Sequence, residues 1–443
     1  MKFALAMHGS RGDVEPCAAV GQELQRRGHE VRLAVPPNLV AFVESAGLAA
    51  VNYGPDSAEL IDDDFVRNYW KMQPLHFVRA FEEYVSRGWS GMGETLAGLA
   101  DGADLVLTGT IYQGVAANVA EHHDIPLAAL HFFPSRPNGH LVPLVPGPLS
   151  RSAVSGVWWM YWRMTKVADD AQRRALGLPK SVRSLSQRIT DIGTLEIQAY
   201  DALCFPGLES EWGGRWPFVG ALTLQLPTAV DDEVDAWISA GTPPIYFGFG
   251  SMPVRSVSDT VAAIDKACIE LGQRALICSG WADFDGVPDS DRLKVVRAVN
   301  HSAVFPRCRA VVHHGGAGTT AAGLRAGVPA MILWVTSDQP IWAATLKRLK
   351  VGTGRRFSPK IGRSLVSDLR QILAPQYAAR AREVACHMTT AADSVSRAAD
   401  LLEEAGGVTR RPHPTQRAGL PAKPLSSREA VENALATKPE SPA

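Results

Sequence analysis

The sequence predicts an α/β protein of two halves, each built on a parallel sheet. Three observations carry that reading. A strand, a glycine turn and a helix follow one another from Lys2 to Arg27. The pattern restarts at Pro244. A stretch rich in Pro, Gly and Asp separates the two.

The elements are justified in chain order. Lys2–Met7 is apolar and strand-like, and its run is too short for a leader peptide. His8–Asp13 is a glycine-containing turn. Val14–Arg27 is helical, with Ala18, Val20 and Leu24 on the apolar side, and Gly28 stops it. Glu30–Val35, Leu105–Thr108 and Leu127–His131 are further strands. In the second half, "PIYFGFGS" runs from Pro244 into a turn, Val257–Leu271 is helical, and Arg274–Ser279 and Leu293–Val299 are strands. Arg309–His313 leads into "HHGGAGTT", and Ala330–Leu333 follows the helix after it. The expected division is an N-terminal domain over 1–215, a linker over 216–243, a C-terminal domain over 244–390, a helix crossing back over 391–405 and a disordered tail over 406–443. The tail is proline-rich, basic and free of aromatic residues.

Composition narrows the function. Lys+Arg and Asp+Glu are both 45, so no global charge favours nucleic acid. The six cysteines are scattered without a CxxC pair, which points to neither zinc nor a disulfide framework and makes a reducing cytoplasm the expected location. Nothing approaches the ~18 apolar residues of a membrane span. His122-His123 lacks an acidic partner cluster, and adjacent histidines are expected to face apart, so no metal is expected.

Two stretches stand out. "VWWMYWRMTK" (Val157–Lys166) packs aromatic residues ahead of basic ones. It reads as a hydrophobic acceptor pocket using Trp158, Trp159 and Trp162, as an interfacial membrane patch, or as an aromatic helix packed on its own domain. The turn Gly315–Thr320 stands between a strand and a helix. Helix N-termini offer unpaired N–H groups and a partial positive charge, and glycine lets an anion approach. Phosphate binding follows, against a plain tight turn as the alternative. The dinucleotide fingerprint does not fit, because the turn lies late in its domain, and no P-loop motif is present.

"HHGGAGTT", "AGVPAMILWVTSDQP" and "HGSRGDVEP" together resemble glycosyltransferase family 1 over roughly residues 1–405. The branch is the one holding bacterial antibiotic and sterol glycosyltransferases. The Arg- and Ala-rich composition suggests an actinobacterial member acting on a cell-envelope glycolipid. The resemblance implies the GT-B fold: two Rossmann-like domains facing a central cleft, acceptor on the first and nucleotide sugar on the second.

Residue by residue, the resemblance places His313 and Gly316, Ala317, Gly318 and Thr319 on the donor's diphosphate. It adds Ser251 and Ser10 as further phosphate contacts, with turn capping as their plain alternative. Asp338 and Gln339 match a pair that binds sugar hydroxyls, with helix capping as the alternative. Val299, His301 and Val304 match the segment beside the nucleotide base. Trp334 stands where many relatives carry proline. Asp13 occupies the place of the plant enzymes' histidine and is expected to be the general base; helix capping would need the same position. His8 is the alternative base. Residues 55–100 and 135–165 are expected to line the acceptor pocket.

The expected activity is inverting transfer of a hexose, such as glucose, from a UDP- or dTDP-sugar to a hydroxyl of a hydrophobic acceptor, without cofactor or metal. A nucleotide-sugar epimerase and a non-catalytic lipid- or nucleotide-sugar-binding protein are the alternatives.

Overall fold

The computed structural model describes residues 1–61, 74–141, 145–224, 226, 231–250, 257–280, 287, 289–335, 338–358 and 362–407. Two six-stranded parallel sheets organise the chain. The first holds β1 (Lys2–Ala6), β2 (Glu30–Val35), β3 (Ala50–Asn52), β4 (Leu105–Thr108), β5 (Leu127–His131) and β6 (Leu195–Gln198), in the order β3-β2-β1-β4-β5-β6. The second holds β7 (Ile245–Gly248), β8 (Ala275–Cys278), β9 (Leu293–Val296), β10 (Ala310–His313), β11 (Ala330–Trp334) and β12 (Gly352–Arg356), in the order β12-β11-β10-β7-β8-β9. Both sheets therefore reverse strand order at one place, between β1 and β4 and between β7 and β10.

Side chains alternate across each pleat and fill a core on both faces. In β1, Phe3 and Leu5 pack with Val20, Leu24 and Leu33, whereas Ala4 and Ala6 face Met92, Leu96 and Val115. In β7, Ile245 and Phe247 face one cluster and Tyr246 the other.

Three details differ from the sequence expectation. The first helix spans Arg11–Arg26, capped by Ser10, so Asp13 lies in its first turn rather than before it, and Pro16 is inside. The stretch 216–243 is more than an open linker: Val219 and Leu222 join the first core, while Val234 and Ile238 of the helix Asp231–Ser239 join the second. The last helix runs Ala391–Gly407, past the glycine expected to open the tail; a Cβ on Gly406 would meet Met1 Cε at 2.5 Å. The remaining tail, 408–443, lies outside the described residues.

That last helix packs on the first domain. Arg27 bonds Asp400, Glu403 and Ser396, and Ala398, Ala399 and Leu402 enter the core of β1. Arg325 ties the same region together. It donates to the carbonyls of Thr389 (2.8 Å) and Ala221 (2.7 Å), and to the hydroxyls of Thr223 (2.9 Å) and Ser394 (3.0 Å).

Candidate active site

In open parallel sheets, ligands bind outside the carboxyl ends of the strands where strand order reverses. Here that rule selects the turns after β1, β4, β7 and β10. The glycine turn is late in sequence yet central in space, because β10 pairs with β7.

The turn after β1 holds Asp13. Its Oδ2 accepts from the Ser10 N–H at 2.8 Å and from the Ser10 hydroxyl at 3.0 Å. Gly9 has φ +141°, and a Cβ there would stand 2.4 Å from Asp13 Oδ2, so only glycine leaves room for the carboxylate. Burial raises the Asp13 pKa to about 6; the bonds from Ser10 oppose this, and the charge of Asp338 adds to it. A carboxylate titrating there is basic enough to take a proton near neutrality and is still mostly ionised. Asp338 belongs to the second half, so its charge reaches Asp13 from the other sheet's domain.

His8 is buried, with Nε2 3.0 Å from the Pro55 carbonyl oxygen and its ring edge-on to Tyr112 at 5.1 Å. Burial lowers its pKa. Tyr112, after β4, has φ +58°, a strained value for a bulky residue, and its ring is also 6.1 Å from that of Trp89. This buried aromatic cluster was not singled out in the sequence. Its parts come from three segments, and nothing local marks Tyr112 as left-handed.

The turn after β10 ends at a helix N-terminus. Gly316 caps the helix Ala317–Arg325, so the N–H groups of Ala317, Gly318 and Thr319 open the helix, while the Thr320 hydroxyl turns back to the Gly316 carbonyl at 2.9 Å. His313 is buried. Its Nδ1 accepts from the Gly315 N–H at 3.1 Å, so Nε2 carries the proton, and that N–H has no protein partner. Burial, with His314 and His301 nearby, holds its pKa well down, so the ring is neutral.

His314 was missed by sequence reasoning. Its ring fills the space beside two glycines: a Cβ on Gly250 would meet its Cε1 at 2.6 Å, and one on Gly316 would meet its Nε2 at 2.7 Å. The paired histidines were the signal, but only the fold brings Gly250 to Gly316. Burial depresses the His314 pKa to about 4.

The other expected residues divide. Asp338 does not cap its helix with its side chain; its Oδ2 accepts from the Trp342 indole N–H at 3.0 Å. Gln339 accepts the Val335 N–H at 2.7 Å and lies under Gly315. Of the base segment, the side chains of Val299 and Val304 go into the core. His301 stacks on Phe305 at 4.5 Å and bonds Tyr246 Oη at 3.1 Å, and burial, Arg11 and His314 hold its pKa near about 4. Ser251 lies outside the described residues. Trp158 and Trp162 turn toward their domain, Trp158 donating to the Ser135 carbonyl and Trp162 packing on the core of β4, whereas Trp159 is exposed and does not share their face. The His122 and His123 rings do not face apart: they touch edge-on at 5.0 Å, and His122 bonds the Leu176 carbonyl. Among the described residues, no group of three metal-ligating side chains forms.

Two α/β halves, each a six-stranded parallel sheet that reverses strand order once, have the GT-B fold of sugar-transferring enzymes. The comparisons agree. Residues 3–88 match the glycosyltransferase family 28 N-terminal domain, and residues 257–403 match the erythromycin biosynthesis protein CIII-like C-terminal domain. A glycosyltransferase of Mycobacterium tuberculosis is 63% identical over 409 residues, covering 91% of this chain and 99% of the relative. The chain belongs to this family of glycosyltransferases, within family 1. Glycosyltransferase GtfE of Amycolatopsis orientalis is 29% identical over 429 residues, covering 92% and 98%. Among solved structures, the glycosyltransferase SnogD from Streptomyces nogalater shares the fold at TM-score 0.65 and 20% identity, covering 91% of this chain and 99% of that one. SsfS6 of Streptomyces sp. SF2575, solved with thymidine diphosphate, does so at TM-score 0.58 and 23% identity, covering 91% and 99%.

Proposed function

We propose that this glycosyltransferase moves a hexose, with inversion, from a UDP- or dTDP-sugar to a hydroxyl of a hydrophobic acceptor. The observation that carries the reading is the pairing of Asp13, raised to about 6, with the glycine turn of the second half. The helix N–H groups and the unpaired His313 N–H receive the diphosphate and the charge that grows on it. Asp338 and Gln339 receive sugar hydroxyls. The acceptor oxygen attacks the anomeric carbon, the carbon–phosphate oxygen bond breaks, and Asp13 takes the acceptor's proton. One displacement inverts the anomeric centre. No cofactor or metal takes part in this scheme.

Support for the donor comes from SsfS6 and from VinC, both solved with thymidine diphosphates. Buried aromatic rings of His8, Tyr112 and Trp89 behind the turn after β1 support an apolar acceptor. The test is a panel of nucleotide sugars incubated with and without a lipid extract. Acceptor-dependent release of nucleoside diphosphate, with glycosylated lipid found by mass spectrometry, is the expected result. Release that ignores the acceptor would sink the transferase scheme, and an epimerised donor would replace it.

A further inference from the structure

The helix Gly147–Ala175 has two unlike faces. Trp158, Trp162, Thr165, Asp169 and Gln172 turn inward. On the opposite side stand Leu149 (63% exposed), Val157 (59%), Trp159 (58%), Met160 (41%) and Val167 (72%). At 100° per residue, Leu149, Met160 and Val167 fall on one line, about 27 Å long at 1.5 Å per residue, flanked by Val157 and Trp159. Of the eleven large exposed apolar side chains among the described residues, these five share one helix. That concentration is what separates a surface from scattered exposure.

The charge on this face is net positive: its one carboxylate, Asp170, is paired with Lys166, and Arg174 stands exposed beyond Val167. Arg163 stands exposed within the stripe, and no Asp or Glu occurs between Gly147 and Ala168. We propose that this face adsorbs to an anionic lipid surface. An apolar stripe with an indole at its edge and a cation that can snorkel meets the boundary between headgroups and acyl chains. A second copy of the chain fits less well, since a two-fold contact sets the stripe against itself and brings Arg163 and Arg174 of both copies together, while the carboxylate of Asp170 is already taken by Lys166. No helix among the described residues is long and apolar enough to cross a membrane, so the contact is a surface one. Delivery of a lipid acceptor to the inner face of the helix rests on the hydrophobic-acceptor reading; adsorption does not.

The test is vesicle flotation of the full chain at low salt, with phosphatidylcholine alone or mixed with phosphatidylglycerol. Binding is expected to the anionic vesicles and to weaken with salt. The pair Met160→Asp and Val167→Asp should reduce it by roughly tenfold or more at an unchanged melting temperature. Arg163→Glu should remove the preference for phosphatidylglycerol, and it stays informative if the double variant misfolds. No binding by the parent protein, or binding untouched by these changes, overturns the proposal. So does a dimer, seen by sedimentation, that the double variant dissociates while vesicles stay unbound. None of these readouts depends on transferase activity, so failure of the proposed reaction leaves them intact.

Discussion

Oδ2 of Asp13 lies 2.4 Å from where a Cβ on Gly9 would be. The proposed base and the glycine that admits it are one unit. Gly9→Ala must move the carboxylate and also adopt φ +141°. Transfer should fall about as far as on loss of the base, with roughly 1–3 kcal/mol of stability lost. Near-normal turnover in a folded Gly9→Ala protein would show that the carboxylate's place is immaterial.

Asp13→Asn keeps the shape and much of the capping but loses the basicity. Turnover should drop by about 10²–10⁴-fold, with donor affinity close to that of the parent. A variant that folds, binds donor and transfers sugar at the parental rate would pass the role to another group, His8 first.

The raised Asp13 pKa also has a signature in stability. The folded carboxyl holds its proton to about pH 6, while the unfolded one releases it near 3.8. Between those values the native state binds more protons, so stability falls as pH rises through the window and levels off above it. Asp13→Asn lacks this loss. The melting-temperature difference, parent minus variant, should therefore decline from pH 4 to pH 6, and a flat difference would refute the burial argument. Activity should rise over the same range as the base ionises.

His313→Ala removes the buried, unpaired Nε2–H at the glycine turn. Calorimetry should show weaker binding of thymidine diphosphate in a folded protein. Unchanged affinity would remove the phosphate role.

Asp338→Ala deletes both the expected sugar contact and the partner of the Trp342 indole N–H, which is buried. Stability should fall by about 1–3 kcal/mol. Affinity should fall further for a nucleotide sugar than for the free nucleoside diphosphate, and equal losses would mark the damage as general.

Much of the scaffold was legible in the sequence because periodicity and glycine turns are local signals. β1, β2, β4, β5 and the strands β7 to β11 follow from apolar runs of the right length. Strands β3, β6 and β12 do not: Ala50–Asn52 is three residues long, Leu195–Gln198 carries Glu196 and Gln198, and Gly352–Arg356 has two glycines and two arginines. Their strand state comes from pairing with neighbours. At the site, Asp13, His313 and the glycine turn stand out locally. His314 does not, because its neighbours Gly250 and Gly316 meet only across the β7–β10 pair. The aromatic run was legible in type but not in direction. Helical spacing puts residues 158 and 162 on one face and 159 off it, and burial confirms that division.

Arg325 ends the helix that Gly316 begins. One tip of that rod is the glycine turn; the other is bolted to Ala221 and Thr223 in the inter-half stretch and to Thr389 and Ser394 where the last helix departs for the first domain. Gly220, at φ +84°, has no room for a Cβ beside Ser394 and Thr389, so that junction has little slack. A rod fixed at one end carries its displacement to the other. The turn that Gly316 closes is therefore held, through a single short helix, by the segments that join the two halves.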